Sequence, residues 1–221
     1  MEPIRFRSGF TLVELLVVVA IILIVTSLAF VSQSSFNKTL ILANTAYDIA
    51  LTLRSTETYG LGSRSLAGVS NTGYGLNFDA TTPGSFTFFA DVSPSPSTAP
   101  GCHQTSDPSA PDARPGDCVY QEDQGEKVTT YTLGNGIVVS NFCAYSLGVW
   151  SCAHSGDETL SSLDIVFVRP NADPFMSVNG LYSTAFPVTQ ACIALSSPQG
   201  GERFVSVAAS GAITANALSC P

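Results

Sequence analysis

The chain has 221 residues, of which 45% are hydrophobic and only 12% charged, and its formal charge is −8 at pH 7. A surface this acidic repels phosphate backbones, so nucleic acid binding through a broad basic patch is disfavoured. The length suits one membrane segment plus one domain, and the roughly 160 residues that follow the first helix are enough to bury a core.

The chain opens on a basic stub holding Arg5 and Arg7, then Gly9, then a run from Phe10 to Val31 whose only polar members are Thr11, Glu14, Thr26 and Ser27. As a helix rising about 1.5 Å per residue, this run covers roughly 33 Å, one bilayer crossing. The flanking arginines place its N-terminal end in the cytoplasm and the rest of the chain outside. An ionised group in hydrocarbon costs roughly 2.5–3.5 kcal/mol at mid-membrane and less near an end, so Glu14 calls for a compensating partner. A secretory signal ending at Ser27-Leu28-Ala29 is disfavoured by the length of the apolar run and by the glutamate inside it. A plain signal anchor leaves the Gly9–Phe10 junction and Glu14 without a role.

Gly9 followed by Phe10-Thr11-Leu12-Val13-Glu14 and an unbroken apolar run resembles the leader and cleavage site of type IV prepilins and of the pseudopilins of type II secretion. The resemblance implies that a prepilin peptidase cuts between Gly9 and Phe10 and that Phe10 is then methylated. Glu14 becomes the fifth residue of the mature chain, matched by the N-terminal amine of a neighbouring subunit, an arrangement in which burial of the carboxylate favours assembly. The partners so implied are the peptidase, other pilin or pseudopilin subunits and the bacterial inner membrane, with the C-terminal domain periplasmic or extracellular. The implied architecture is the pilin fold, of class α+β: a long N-terminal helix, transmembrane in its first half, packed on a C-terminal antiparallel β-sheet domain.

No proline or glycine occurs from Phe10 until Gly60, which predicts one helix of about 50 residues, roughly 75 Å long. Its second half carries an apolar stripe of Leu42, Ala46, Ile49 and Leu53, and Gly60 and Gly62 mark its end. The expected organisation is therefore a leader at 1–9, a transmembrane segment at 10–31, an amphipathic continuation at 32–60, and an exported β-rich domain at 61–221 with a long loop at 91–124. Within that domain, Tyr74–Asp79 and Ser85–Ala90 flank Thr82-Pro83-Gly84 as a hairpin, and Val128–Leu133 and Gly136–Phe142 surround Gly134-Asn135-Gly136 as a second. Leu163–Val168 is a further strand. Ala191–Leu195 and Arg203–Val207 flank Pro198-Gln199-Gly200-Gly201, with a short last strand from Gly211 to Thr214. Helix first and strands after is α+β. This C-terminal part is similar to the closing hairpin of minor pseudopilins near the tip of type II secretion pseudopili and of their type IV pilus counterparts, which points to a minor subunit.

Six cysteines, Cys102, Cys118, Cys143, Cys152, Cys192 and Cys220, all follow the apolar segment, an even number in the part that would enter an oxidising compartment. They allow roughly 15 pairings. Nearness in sequence favours Cys102 with Cys118, Cys143 with Cys152, and Cys192 with Cys220.

No cofactor is expected, and no arrangement compels an enzyme. His103 and His154 are the two histidines, each beside a cysteine, but a zinc site wants four ligands at defined spacing, and cysteines of an exported chain read as disulfides. No Gly-x-Ser-x-Gly elbow presents a serine. Asp107, Asp112, Asp117, Glu122, Asp123 and Glu126 are dense but lack the spacing of an EF-hand, so they read as solvated loop charge rather than a calcium site. Arg64, Arg114, Lys127, Arg169 and Arg203 are scattered, which argues against DNA capture. The functional expectation is a structural subunit, minor rather than major, of a type IV pilus or type II secretion pseudopilus. The alternatives are the major pilin of the fibre and, in a different class, a membrane-anchored exported ligand-binding domain or enzyme.

Overall fold

The structure, a computed structural model, describes residues 9–62, 64–66, 68–93, 114–154, 160–170, 172–217 and 219–220, without the side chains of 29–38 and 216. The chain divides into two compact units, Met1–Leu40 and Ile41–Pro221.

Helix α1 is Leu12–Leu61. It runs through sequence free of helix breakers until Gly60, and Gly62 closes it by donating its N–H to the carbonyls of Thr58 at 3.0 Å and Tyr59 at 3.2 Å. The strands are β1 (Gly73–Asp79), β2 (Ser85–Asp91), β3 (Lys127–Thr132), β4 (Val138–Ser146), β5 (Val149–Cys152), β6 (Ser162–Phe167), β7 (Phe175–Val178), β8 (Val188–Ser196), β9 (Glu202–Ala208) and β10 (Ile213–Ala217). Among the described residues they form two five-stranded antiparallel sheets. Sheet 1 has the order β3-β2-β1-β6-β7 and sheet 2 the order β10-β9-β8-β4-β5. Helix first and antiparallel strands after is the α+β class that the sequence predicts.

In the second unit, the stripe of α1 is buried as its spacing requires: Leu42, Ala46, Ile49 and Leu53 are each at most 2% exposed. They share one core with the inward residues of both sheets. From sheet 1 come Tyr74, Leu76 and Phe78, Phe86, Phe88 and Ala90, and Leu163, Ile165 and Phe167, each set alternating along its strand as a pleated surface demands. From sheet 2 come Val139, Phe142 and Ala144, then Ala191, Ile193 and Leu195, then Val205 and Val207. Val139 and Phe142 break the alternation, and a bulge between Val139 and Asn141 restores it by adding one residue to β4. Tyr59 on α1 packs its ring 5.6 Å from Tyr74 and 5.4 Å from Phe88. The end of the helix sits closer still: a Cβ on Gly60 would overlap the Phe167 carbonyl, so only glycine fits where α1 meets β6.

Two expectations need correction. β3 and β4 are not a hairpin: β3 pairs with β2, and β4 pairs with β5 and β8. Asn135 and Gly136 do adopt positive φ, 58° and 69°, but the turn they make passes the chain from one sheet to the other. The second correction concerns the long loop. Its part 94–113 lies outside the described residues, with Cys102, His103, Asp107 and Asp112, but within 114–126 only 122–125 are exposed, and residues 114–121 and 126 are buried or half-buried. They cover the outer face of sheet 1, where Cys118 is buried with Phe89 and Val166 and joined by Tyr120, Phe175 and Tyr182.

Cys143 bonds Cys152, with a Cα–Cα distance of 4.0 Å across the directly paired β4 and β5. Cys192 bonds Cys220 and ties the C-terminal tail to β8. Both are the pairs that nearness in sequence favours. Cys118 is also disulfide-bonded.

Candidate assembly site and the covered face of sheet 1

Gly9, Phe10 and Thr11 precede the first helical residue, and Gly9 and Phe10 are exposed, Phe10 at 80%. Thr11 caps the helix: its Oγ1 accepts the backbone N–H of Glu14 at 3.3 Å. Thr11 and Glu14 therefore stand as N-cap and third helical residue, the Thr-x-x-Glu spacing of a capping box, which satisfies one of the free N–H groups of the first turn. The Glu14 carboxylate also lies at the positive end of the helix dipole. The membrane argument for Glu14 overlooks this local one, although the Thr-x-x-Glu signal is present in the sequence.

Beyond the cap, every described side chain from Leu12 to Leu28 is exposed. Leu12, Leu15, Leu16, Val19, Ala20 and Leu23 together line a shallow, almost wholly apolar surface. Among the described residues no helix is long and apolar enough to cross a membrane. The crossing expected from Phe10 to Val31 takes in residues 29–31, whose side chains lie outside those described. Toward the end of the run the hydroxyls bond back to their own helix. Thr26 Oγ1 donates to the Ile22 carbonyl at 2.7 Å and Ser27 Oγ to that of Ile24 at 2.8 Å, so the two hydroxyls add no unpaired donor to an apolar surface.

The covered face of sheet 1 holds a set of buried carboxyls that sequence reasoning places in solvent or does not single out. Asp91, Glu126 and Asp164 are each at most 1% exposed, and Asp117 is half-buried. Asp91 accepts the N–H groups of Asp117 at 3.0 Å and Cys118 at 2.9 Å. Glu126 accepts those of Val92 at 3.1 Å, Ser93 at 3.0 Å and Gln121 at 2.8 Å. Asp117 accepts the Val119 N–H at 3.1 Å and the Gln121 side-chain amide at 2.9 Å. Asp164 Oδ1 accepts the Asn77 amide at 2.8 Å, and its Oδ2 has no hydrogen-bond partner. The approach is close enough to demand glycine at position 116, whose φ is 101° and whose Cβ would overlap the Asp91 carboxylate.

Burial raises the pKa of all four carboxyls. Asp91 is held well above the usual range by burial first and the Glu126 charge next, against the pull of the Cys118 N–H. Glu126 is pushed up to about 7 by burial against its three N–H donors. Asp164 is pushed up to about 8 by burial, against the Asn77 amide and the Tyr120 N–H. Asp117 is raised by burial and restrained by the Val119 N–H. Glu122 and Asp123 remain in solvent on a short 3-10 turn, Glu122–Gln124. Among the described residues no three His, Cys, Asp or Glu side chains are placed to hold a metal ion.

The described start of α1 is thus a capped helix whose side chains from Leu12 to Leu28 are all exposed and mostly apolar. Residues 4–30 match the family described as the prokaryotic N-terminal methylation motif. The match covers the N-terminal segment that holds Gly9, Phe10 and Glu14 and supports the resemblance to type IV pilins and pseudopilins. It implies processing by a prepilin peptidase and assembly with other pilin subunits. No curated protein and no solved structure matches the chain.

Proposed function

We propose that this chain is a minor structural subunit of a type IV pilus or a type II secretion pseudopilus. It is cut between Gly9 and Phe10, methylated on Phe10, held in the inner membrane through residues 10–31, and drawn into a fibre through α1. Its action is mechanical, with the helix in the fibre core and the β domain displayed at the surface, and it catalyses no reaction. The observation that carries the reading is the methylation motif at residues 4–30, joined to an exposed apolar helix that begins at Leu12.

Glu14 is the assembly residue in this scheme. A carboxylate near the end of an apolar segment is tolerable when a new ammonium group lies beside it, and cleavage ahead of Phe10 creates one on each neighbouring subunit. The scheme is tested by the intact mass of the protein extracted from membranes. A chain lacking residues 1–9 and carrying one added methyl group is the expected result, and an uncut chain beginning at Met1 overturns the proposal.

A further inference from the structure

A groove of about 220 Å³ runs between α1 and β3 in the second unit, with Thr45, Asp48 and Thr52 on one wall, Tyr131 on the other, and Phe86 in the lining. That volume is below the roughly 300–1,000 Å³ of small-molecule pockets and suits a single side chain. Asp48 is the only charged residue of the lining. Among the described residues its carboxylate belongs to neither ion pair, Arg54 with Glu57 or Lys127 with Glu122, and accepts no hydrogen bond. Thr45 Oγ1 donates to the Ile41 carbonyl at 3.0 Å and Thr52 Oγ1 to the Asp48 carbonyl at 2.7 Å, so what both hydroxyls still offer is lone pairs. Tyr131 stacks its ring on Phe86, with centroids 5.2 Å apart, yet is 42% exposed, which leaves aromatic surface open to the groove.

A negative charge, hydroxyl lone pairs and an aromatic face together call for a cation with several N–H donors. Arginine fits, since its planar guanidinium forks onto a carboxylate, keeps donors for hydroxyl oxygens and stacks on an aromatic ring. A metal ion is not matched, because Asp48 is the sole carboxylate here and calcium takes about six to eight oxygen ligands. The wall formed by β3 is also open. β3 is the outermost strand of sheet 1, and all six of its residues are exposed. A register shift beside Val128 and the paired charge of Lys127 guard its first end, but Thr129 to Thr132 carry neither charge nor proline. An edge left so unguarded is suited to being covered by another chain.

We propose that this groove receives an arginine side chain of a neighbouring pilin-type subunit other than a second copy of this chain, with the guanidinium paired to Asp48 and lying against the Tyr131 ring. Such a neighbour is supplied by the pilin-type assembly proposed above, on which this inference rests. A different subunit is required because the arginines of this chain already hold partners within it. Arg54 is bonded to Glu57 and to the Gly211 carbonyl, and Arg64 lies 4.1 Å from the centre of the Tyr59 ring. Arg169 bonds Asn71, Arg203 bonds the Glu202 carbonyl, and Arg114 is engaged as well. Arg5 and Arg7 leave with the leader when the chain is cut ahead of Phe10.

Site-specific photocrosslinking in cells that assemble the full-length protein tests this, with p-benzoylphenylalanine in place of Thr132, which lines the groove. The expected product joins the chain to another subunit that bears the N-terminal methylation motif, and maps to a peptide containing arginine. Asp48→Asn is expected to reduce that product by about fivefold or more. Asp48→Glu, which keeps the charge, is expected to retain it, with the unfolding midpoint unchanged in both variants. A product with a second copy of this chain, a product mapped to a peptide without arginine, no product, or a yield that Asp48→Asn leaves unchanged would overturn the arginine site. Intact mass of the same sample separates this from the function beneath it. A chain that is cut, methylated and assembled but gives no such product removes the arginine site alone, whereas an uncut chain removes the pilin-type reading as well.

Discussion

Sheet 1 is covered on both faces, and the two covers are built on different chemistry. On the inner face α1 lays Leu42, Ala46, Ile49 and Leu53 into a continuous apolar core with residues of both sheets. On the outer face segment 114–126 brings Cys118 and the half-buried Tyr120 to a small apolar cluster with Phe89 and Val166, and much of its remaining attachment is made by Asp91 and Glu126. Apolar burial is insensitive to pH and adds roughly 1.5–3 kcal/mol for each large side chain. Carboxyl attachment is directional and weakens when one acceptor is lost. The inner cover therefore carries most of the apolar burial of the domain, and the outer cover adds a smaller, more polar layer.

The largest effect expected from breaking this contrast is on the inner side. Leu53→Ala removes a side chain that is 0% exposed and is expected to destabilise the whole domain by about 2–5 kcal/mol, read as a fall in the midpoint of denaturant unfolding. A smaller and more local effect is expected from Gly116→Ala. The substitution forces a side chain into φ of 101° and against the Asp91 carboxylate, a strain of about 1–3 kcal/mol. Exchange protection should fall in 117–124 and hold in β8 and β9; equal loss in both regions would mean that the outer cover belongs to the same cooperative unit as the core. The smallest effect is expected at the rim, where Glu122→Ala removes an exposed pair with Lys127. Unfolding should shift by no more than about 0.5 kcal/mol, and a larger change would show that segment 114–126 draws on surface charge as well.

Much of the inner side is legible from sequence. The spacing of Leu42, Ala46, Ile49 and Leu53 names the buried face of α1, and the hairpins β1–β2 and β8–β9 are marked by turn residues between alternating strands. β5 and β7 escape notice because four-residue strands carry too little alternation to stand out. The β3–β4 turn misleads because positive φ at Asn135 and Gly136 serves a crossing between sheets as well as a hairpin. The buried carboxyls are hidden by the reasonable default that acidic residues in a loop are solvated. A signal does exist: Ile165-Val166-Phe167-Val168 and Phe88-Phe89 are continuous apolar runs, and such runs mean a strand covered on both sides. Neither of the bridges Cys143–Cys152 and Cys192–Cys220 bears on that outer face, since both staple sheet 2.

The threonine cap at the start of α1 bears on how a peptidase would meet its substrate. Because the hydrogen-bonded ladder begins only after Thr11, the peptide bond joining Gly9 to Phe10 sits in backbone outside any regular element, with both residues open to solvent. The enzyme can take that bond in extended form without first unwinding a turn, and the shortened chain would keep its helical start sealed by its own second residue.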